Sequence, residues 1–167
     1  SGSTSAVHSH AVNQAATATS LSSTPNPSSF GQSVALSASV TVTAPGAGSP
    51  SGSVEFFEGA TSLGTSPLVT GSASLNTSGL SIGSHNLTAV YSGGVSFSGG
   101  TSAVHSHTVN TAATTTSVVS SLNPSTYGSS VTFTATVAPA AATGSVEFFD
   151  GATSLGTSPL AAGTAAF

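Results

Sequence analysis

The sequence predicts an all-β chain built of antiparallel β-sandwiches in tandem. Three observations point there. Apolar and polar residues alternate with period two over several short stretches. Turns rich in Gly, Pro and Asn recur every ten residues or so, and no stretch has a helical period. Finally, "GSVEFFEGATSLGTSPL" (Gly52 to Leu68) returns 92 residues later as "GSVEFFDGATSLGTSPL" (Gly144 to Leu160), with only Glu58 changed to Asp150. A unit of that size is a domain rather than a solenoid repeat.

Two further pairs set the length of the unit. "SAVHSHAVN" from Ser5 matches "SAVHSHTVN" from Ser102, and "NPSSFGQSV" from Asn26 matches "NPSTYGSSV" from Asn123, both at an offset of 97. The offset falls to 92 at Val54 and Val146. The five-residue difference lies between "TVTAPGAGSPSGS" and "APAAATGS", the small-residue composition of a surface loop. Residues 1–14 therefore read as the last strand of a preceding unit, 15–110 as a complete unit, and 111–167 as a truncated second unit. This division implies a segment of a longer tandem array. "TVNTAATTTS" leads from one unit into the next with almost no linker, which favours a stiff rod.

Within the unit each element has its own signal. Val34, Leu36, Ala38, Val40 and Val42 alternate with Ser and Thr, giving a strand with one buried and one wet face. Val131, Phe133, Ala135 and Val137 repeat the pattern. "SVEFFEG" and "SVEFFDG" are short strands ending in an acidic-Gly turn, a hairpin signal. "HNLTAVYS" sets His85, Leu87, Ala89 and Tyr91 on one face and Asn86, Thr88 and Val90 on the other.

In order along the chain, "NPSSFGQSVALSASV", "GSVEFFEGATSLGT" and "GSHNLTAVYSGGVSFSGGTS" resemble the bacterial immunoglobulin-like domain repeats of large surface proteins. The resemblance covers essentially the whole chain. It implies tandem immunoglobulin-like sandwiches of about seven strands, used in extracellular stalks, adhesins and filaments. The sequence departs from that pattern in charge. The position after Tyr91-Ser92-Gly93, commonly Asp, is Gly94, and Lys is absent.

Charge excludes several function classes. The chain has no Lys or Arg, four acids and five His, and charged residues are 2% of the total, against about a quarter in an ordinary domain. A nucleic-acid partner requires cations to displace counterions, so that class is excluded. Anionic membrane surfaces are disfavoured for the same reason, and no apolar run is long enough for a membrane-spanning helix. There is no Cys, so each unit stands on its core alone. Sandwiches normally guard their edges with Lys or inward charge. A surface this bare implies self-association into an ordered polymer, covalent glycans on Ser, Thr and Asn, or both.

Candidate sites are few. Asn76-Thr77-Ser78 and Asn86-Leu87-Thr88 are N-glycosylation sequons, with Asn86 on the wet side of its strand. His8/His10 and His105/His107 are spaced to share a strand face, the weak beginning of a transition-metal site; the reading without metal has them filling strand positions. Protonating all five His would move the net charge from −4 to about +1, so assembly is expected to respond to pH. His85 reads as a hydrogen-bonded core or edge histidine. Glu55/Glu147 and Glu58/Asp150 are equivalent acids in the two units, too few for a tight calcium site. Phe57 and Phe149 follow an inward Phe, so each either faces out as an assembly contact or is turned inward by a bulge.

Catalysis has no motif to rest on: there is no nucleophile elbow, phosphate loop, HExxH or CxxC. No cofactor is implied. The reading is a structural repeat of an extracellular or cell-surface filament or stalk. The alternative is an adhesin module that binds a glycan or cell surface through loops at one sandwich end. Those loops are Gly, Ser, Pro and Ala with no Trp, which favours structure.

Overall fold

A computed structural model describes residues 2–167. The described chain is all strand, turn and loop, and it divides into two compact units, Ser1–Ala112 and Ala113–Phe167. No helix is long and apolar enough to cross a membrane.

The first unit is a sandwich of two sheets. One holds β1 (Thr17–Thr24), β3 (Val34–Val42) and β6 (Ser72–Thr77), in the order β1-β3-β6. The other holds β2 (Ser28–Ser29), β4 (Ser53–Glu58), β5 (Thr61–Pro67), β7 (Gly83–Tyr91), β8 (Gly100–Thr101) and β9 (His105–Asn110). Its order is β2-β9-β7-β4-β5, with β8 beside β7. All pairings are antiparallel except β2 with β9.

Alternation decides which face is inside. Val34, Leu36, Ala38 and Val40 of β3 are buried, and Ser37, Ser39 and Thr41 between them are exposed. They meet Val54 and Phe56 of β4 and Leu87, Ala89 and Tyr91 of β7, all fully or almost fully buried. Each large apolar side chain so placed contributes about 1.5–3 kcal/mol. The Tyr91 hydroxyl is compatible with burial because it donates to the Ser51 carbonyl at 2.6 Å.

Pro25 and Pro27 explain how the first strand changes sheets. Neither offers an N–H to a ladder, so β1 ends at Thr24 and the chain crosses to the opposite sheet. There Ser28 and Ser29 run parallel to Val109 and Asn110 of β9. The short second strand and the last strand of the unit thus lie side by side.

The second unit repeats the parts it contains. β10 (Thr115–Ser120), β11 (Phe133–Ala138) and β14 (Thr164–Ala166) form one sheet, and β12 (Ser145–Asp150) and β13 (Thr153–Pro159) form a hairpin. Ala135, Phe148 and Ala165 are its buried centre, with Phe133, Val146 and Leu160 against them. Phe148 stacks on Phe167 at 5.6 Å between ring centroids.

The two hairpins share one register, and each has an irregularity after its first Phe, between Phe56 and Phe57 and between Phe148 and Phe149. At the base, the Gly52 carbonyl accepts from Leu68 N and the Gly144 carbonyl from Leu160 N, both at 2.9 Å. Both glycines have φ of +118°, where an L side chain is strained.

Residues 2–14 carry no strand, contrary to the last strand expected there. Their counterpart β9 is held by β7 and β2; residues 2–14 have no such flanking strands.

Candidate functional site

The polar chemistry of the first unit gathers at one end of its core. On β9, His105, His107 and Val109 point toward the core side; on β7, His85 and Leu87 do the same. The register places His85 opposite His107 and Leu87 opposite His105. Three imidazoles therefore share one end of the sandwich. The crossing from β1 to β2 passes over the same end and brings Ser23 and Ser28 down to it.

His107 is completely buried. Its Nδ1 lies 2.9 Å from Ser23 Oγ and its Nε2 2.9 Å from Ser28 Oγ. Ser23 Oγ also meets His105 Nε2 at 2.8 Å. The result is an unbroken chain, Ser28–His107–Ser23–His105, running from β2 through β9 to β1 and back. Asn26 adds to it: its Nδ2 donates to the Ser106 carbonyl at 2.9 Å and its Oδ1 accepts from Thr108 N at 3.1 Å. Phe30 N donates to the Asn110 carbonyl at 2.8 Å.

The second constellation lies beside the first. His85 Nδ1 pairs with Glu58 Oε1, and its Nε2 donates to the Ser81 carbonyl at 2.7 Å. The Glu58 hydrogen bond raises the His85 pKa; burial opposes it, and the Ser81 carbonyl and the Glu58 charge assist. His107 goes the other way. Burial lowers its pKa, and the charges of His85 and His105 lower it further.

This division decides the chemistry available. The His–Ser contacts belong to His107 and His105, whereas the carboxylate belongs to His85. A Ser-His-acid relay needs all three on one imidazole, with the Ser open to substrate. Here Ser23 and Ser28 are buried and the acid orients a different ring. The arrangement fastens strands together.

The sequence-derived candidates are scattered. Both sequon residues are exposed, Asn76 on β6 and Asn86 on β7. His8 and His10 are exposed and outside any strand. Among the described residues no three His, Cys, Asp or Glu come together to hold a metal. Glu55 accepts from Ser62 Oγ at 2.6 Å, and Glu147 accepts from Ser154 Oγ at 2.7 Å. Phe57 is half-buried between Ser62 and Thr88 on its two neighbouring strands. Phe149, with a neighbour on one side only, is 55% exposed.

Ser23 and Ser28 were not singled out from the sequence. A signal was present for Ser23. It continues the inward series Thr17, Thr19, Leu21, and a small polar residue at an inward position needs a partner.

A family model for the bacterial Ig-like domain (group 3) matches residues 21–110 and again 115–167. The chain belongs to this family. Each match falls on one of the two compact units, so the bacterial Ig-like domain is the repeating element. The fibronectin(III)-like modules of Clostridium thermocellum CbhA are a similar solved structure, at 21% identity and a TM-score of 0.41, covering 89% of this chain and 77% of that one. Comparison with curated proteins gave no match. Bacterial Ig-like domains are commonly parts of extracellular or surface proteins and are generally non-catalytic.

Proposed function

We propose that this chain is a structural segment of an extracellular filament or stalk, in which bacterial Ig-like domains repeat to give length. One observation carries the reading. Hairpin sequence, register and bulge are reproduced between the units with a single Glu58-to-Asp150 change. A specialised binding tip diverges in its loops; a spacer gains from repetition itself.

Composition supports the same reading. The turns are Gly, Ser, Pro and Ala, without the Trp or charged clusters that anchor a ligand. Phe57, half-buried between two neighbouring strands, and its sequence equivalent Phe149 are the lateral contacts this reading offers. Weak contacts repeated along an array add into stable association. Sugars on Asn76, Asn86 and the exposed Ser and Thr residues would solvate whatever surface the assembly leaves open.

Electron microscopy of the native cell surface tests this. Regular projections with an axial repeat near the length of one sandwich, about 33 Å for a ten-residue strand, are expected. A short globular tip that is retained on a glycan array would replace the structural reading with an adhesive one.

A further inference from the structure

The hydrogen-bonded chain at the end of the core has an asymmetry of charge. Every group facing His107 can be placed. β1 contributes Ser23, β2 contributes Ser28, β7 contributes His85, and β9 contributes His105 on the same face. β4 contributes Glu58, which is already paired with His85. His107 therefore has two hydroxyl partners, two imidazole neighbours and no carboxylate of its own.

With His107 neutral, the chain closes in one direction. One ring nitrogen donates and the other accepts, and each serine supplies the complementary role. A proton added to His107 meets no counter-charge and has no solvent to screen it. It also arrives beside His85, whose hold on a proton Glu58 strengthens. The least costly response is to bring the ring to water, and that requires the β1–β2 crossing to lift off β9.

We propose that the Ser28–His107–Ser23–His105 chain is an acid-sensitive clasp, which fastens the first strand of the Ig-like unit to its last and releases that seam when His107 takes a proton. The parts of the clasp recur in step with the unit. Ser23 and Ser28 return as Ser120 and Ser125, and His105 and His107 correspond to His8 and His10, all at the offset of 97. The residues that make the clasp thus recur with the repeat. Away from this end of the sandwich, β3, β4 and β7 meet through apolar side chains that do not titrate.

The sign follows from linkage. His107 binds its proton more weakly folded than unfolded, so the clasp is at full strength above about pH 6.5 and weakens as pH falls below that. One proton taken up on opening changes the opening constant by up to about tenfold per pH unit.

The test uses the whole 167-residue chain. Imidazole titration by NMR reads His107 directly, and amide hydrogen exchange, corrected for intrinsic rates, reads the seam. The expected results are a His107 midpoint below 6.5 and a selective gain in exchange at residues 20–30 and 105–110 between about pH 7.5 and 5.5. That gain should be several-fold or more, with β3 and β4 unchanged. In His107→Gln, which keeps a donor and an acceptor but does not titrate, the pH dependence of the seam should disappear. In Ser28→Ala the seam should open at higher pH than in the parent. A His107 midpoint at or above 6.5 overturns the proposal, as does seam exchange that keeps its pH dependence in His107→Gln. If His107→Gln does not fold, the titration midpoint in the parent chain decides.

Discussion

At the residue scale, two histidines on facing strands are tuned in opposite directions by their partners. His85 has a carboxylate and His107 has two hydroxyls. His85 holds its proton more tightly folded than unfolded. Its pairing therefore stabilises fully below about pH 6.5 and is lost as pH rises through its raised pKa. Glu58→Gln should accordingly cost most near pH 6 and least near pH 9, read as the difference in urea midpoint from the parent at each pH. A cost that grows with pH would contradict the pairing. The sequence showed that His85 sits on the apolar face of its strand. It did not show the partner, because Glu58 lies on another strand and only the register Glu58 to Leu87 brings the two together.

At the scale of elements, period-two patterning carried most of the fold. β3, β4 and β7 bury the residues that alternation assigned to the core, except Val42 at the end of β3, which is half-buried. Patterning was blind where the chain breaks its period. Alternation placed Phe57 outside and left a bulge as the competitor; the register does shift there, and the ring ends half-buried. The Ser–His chain was hidden for a related reason. Its members lie about 80 residues apart and meet only because Pro25 and Pro27 turn the chain across the sandwich end. The repeat itself supplies an internal control on the hairpin. A Cβ at Gly52 would sit 2.9 Å from the Gly93 carbonyl oxygen, whereas at Gly144 it meets nothing within 4 Å. Both share the same left-handed φ. Gly144→Ala should therefore cost about 1 kcal/mol from strain alone, and Gly52→Ala clearly more, about 2–3 kcal/mol. Hydrogen exchange of each hairpin measures the two separately, and equal costs would mean that backbone strain, not contact, sets both.

At the scale of the whole molecule, the missing charge is the dominant fact. Four acids and no Lys or Arg leave little for salt to screen. The self-association proposed above should be nearly unchanged between about 0.02 and 0.5 M salt in sedimentation velocity, in contrast to assembly held by ion pairs. Dissociation at high salt would point to carboxylate-bound cations instead. The internal repeat is legible in the sequence alone, and the family model likewise matches the chain twice.

The parallel placement of β2 against β9 has a mechanical meaning. The chain enters the first unit ahead of β2 and leaves it after β9. A pull on both ends therefore drags these two neighbours in opposite senses along their common axis. Every bond across them is then loaded at once, in shear, rather than one after another as in the unzipping of a hairpin. The Ser28–His107 contact lies on that loaded line. The tensile strength of such a tether would thus be set at the seam between β2 and β9, and acidity would govern it.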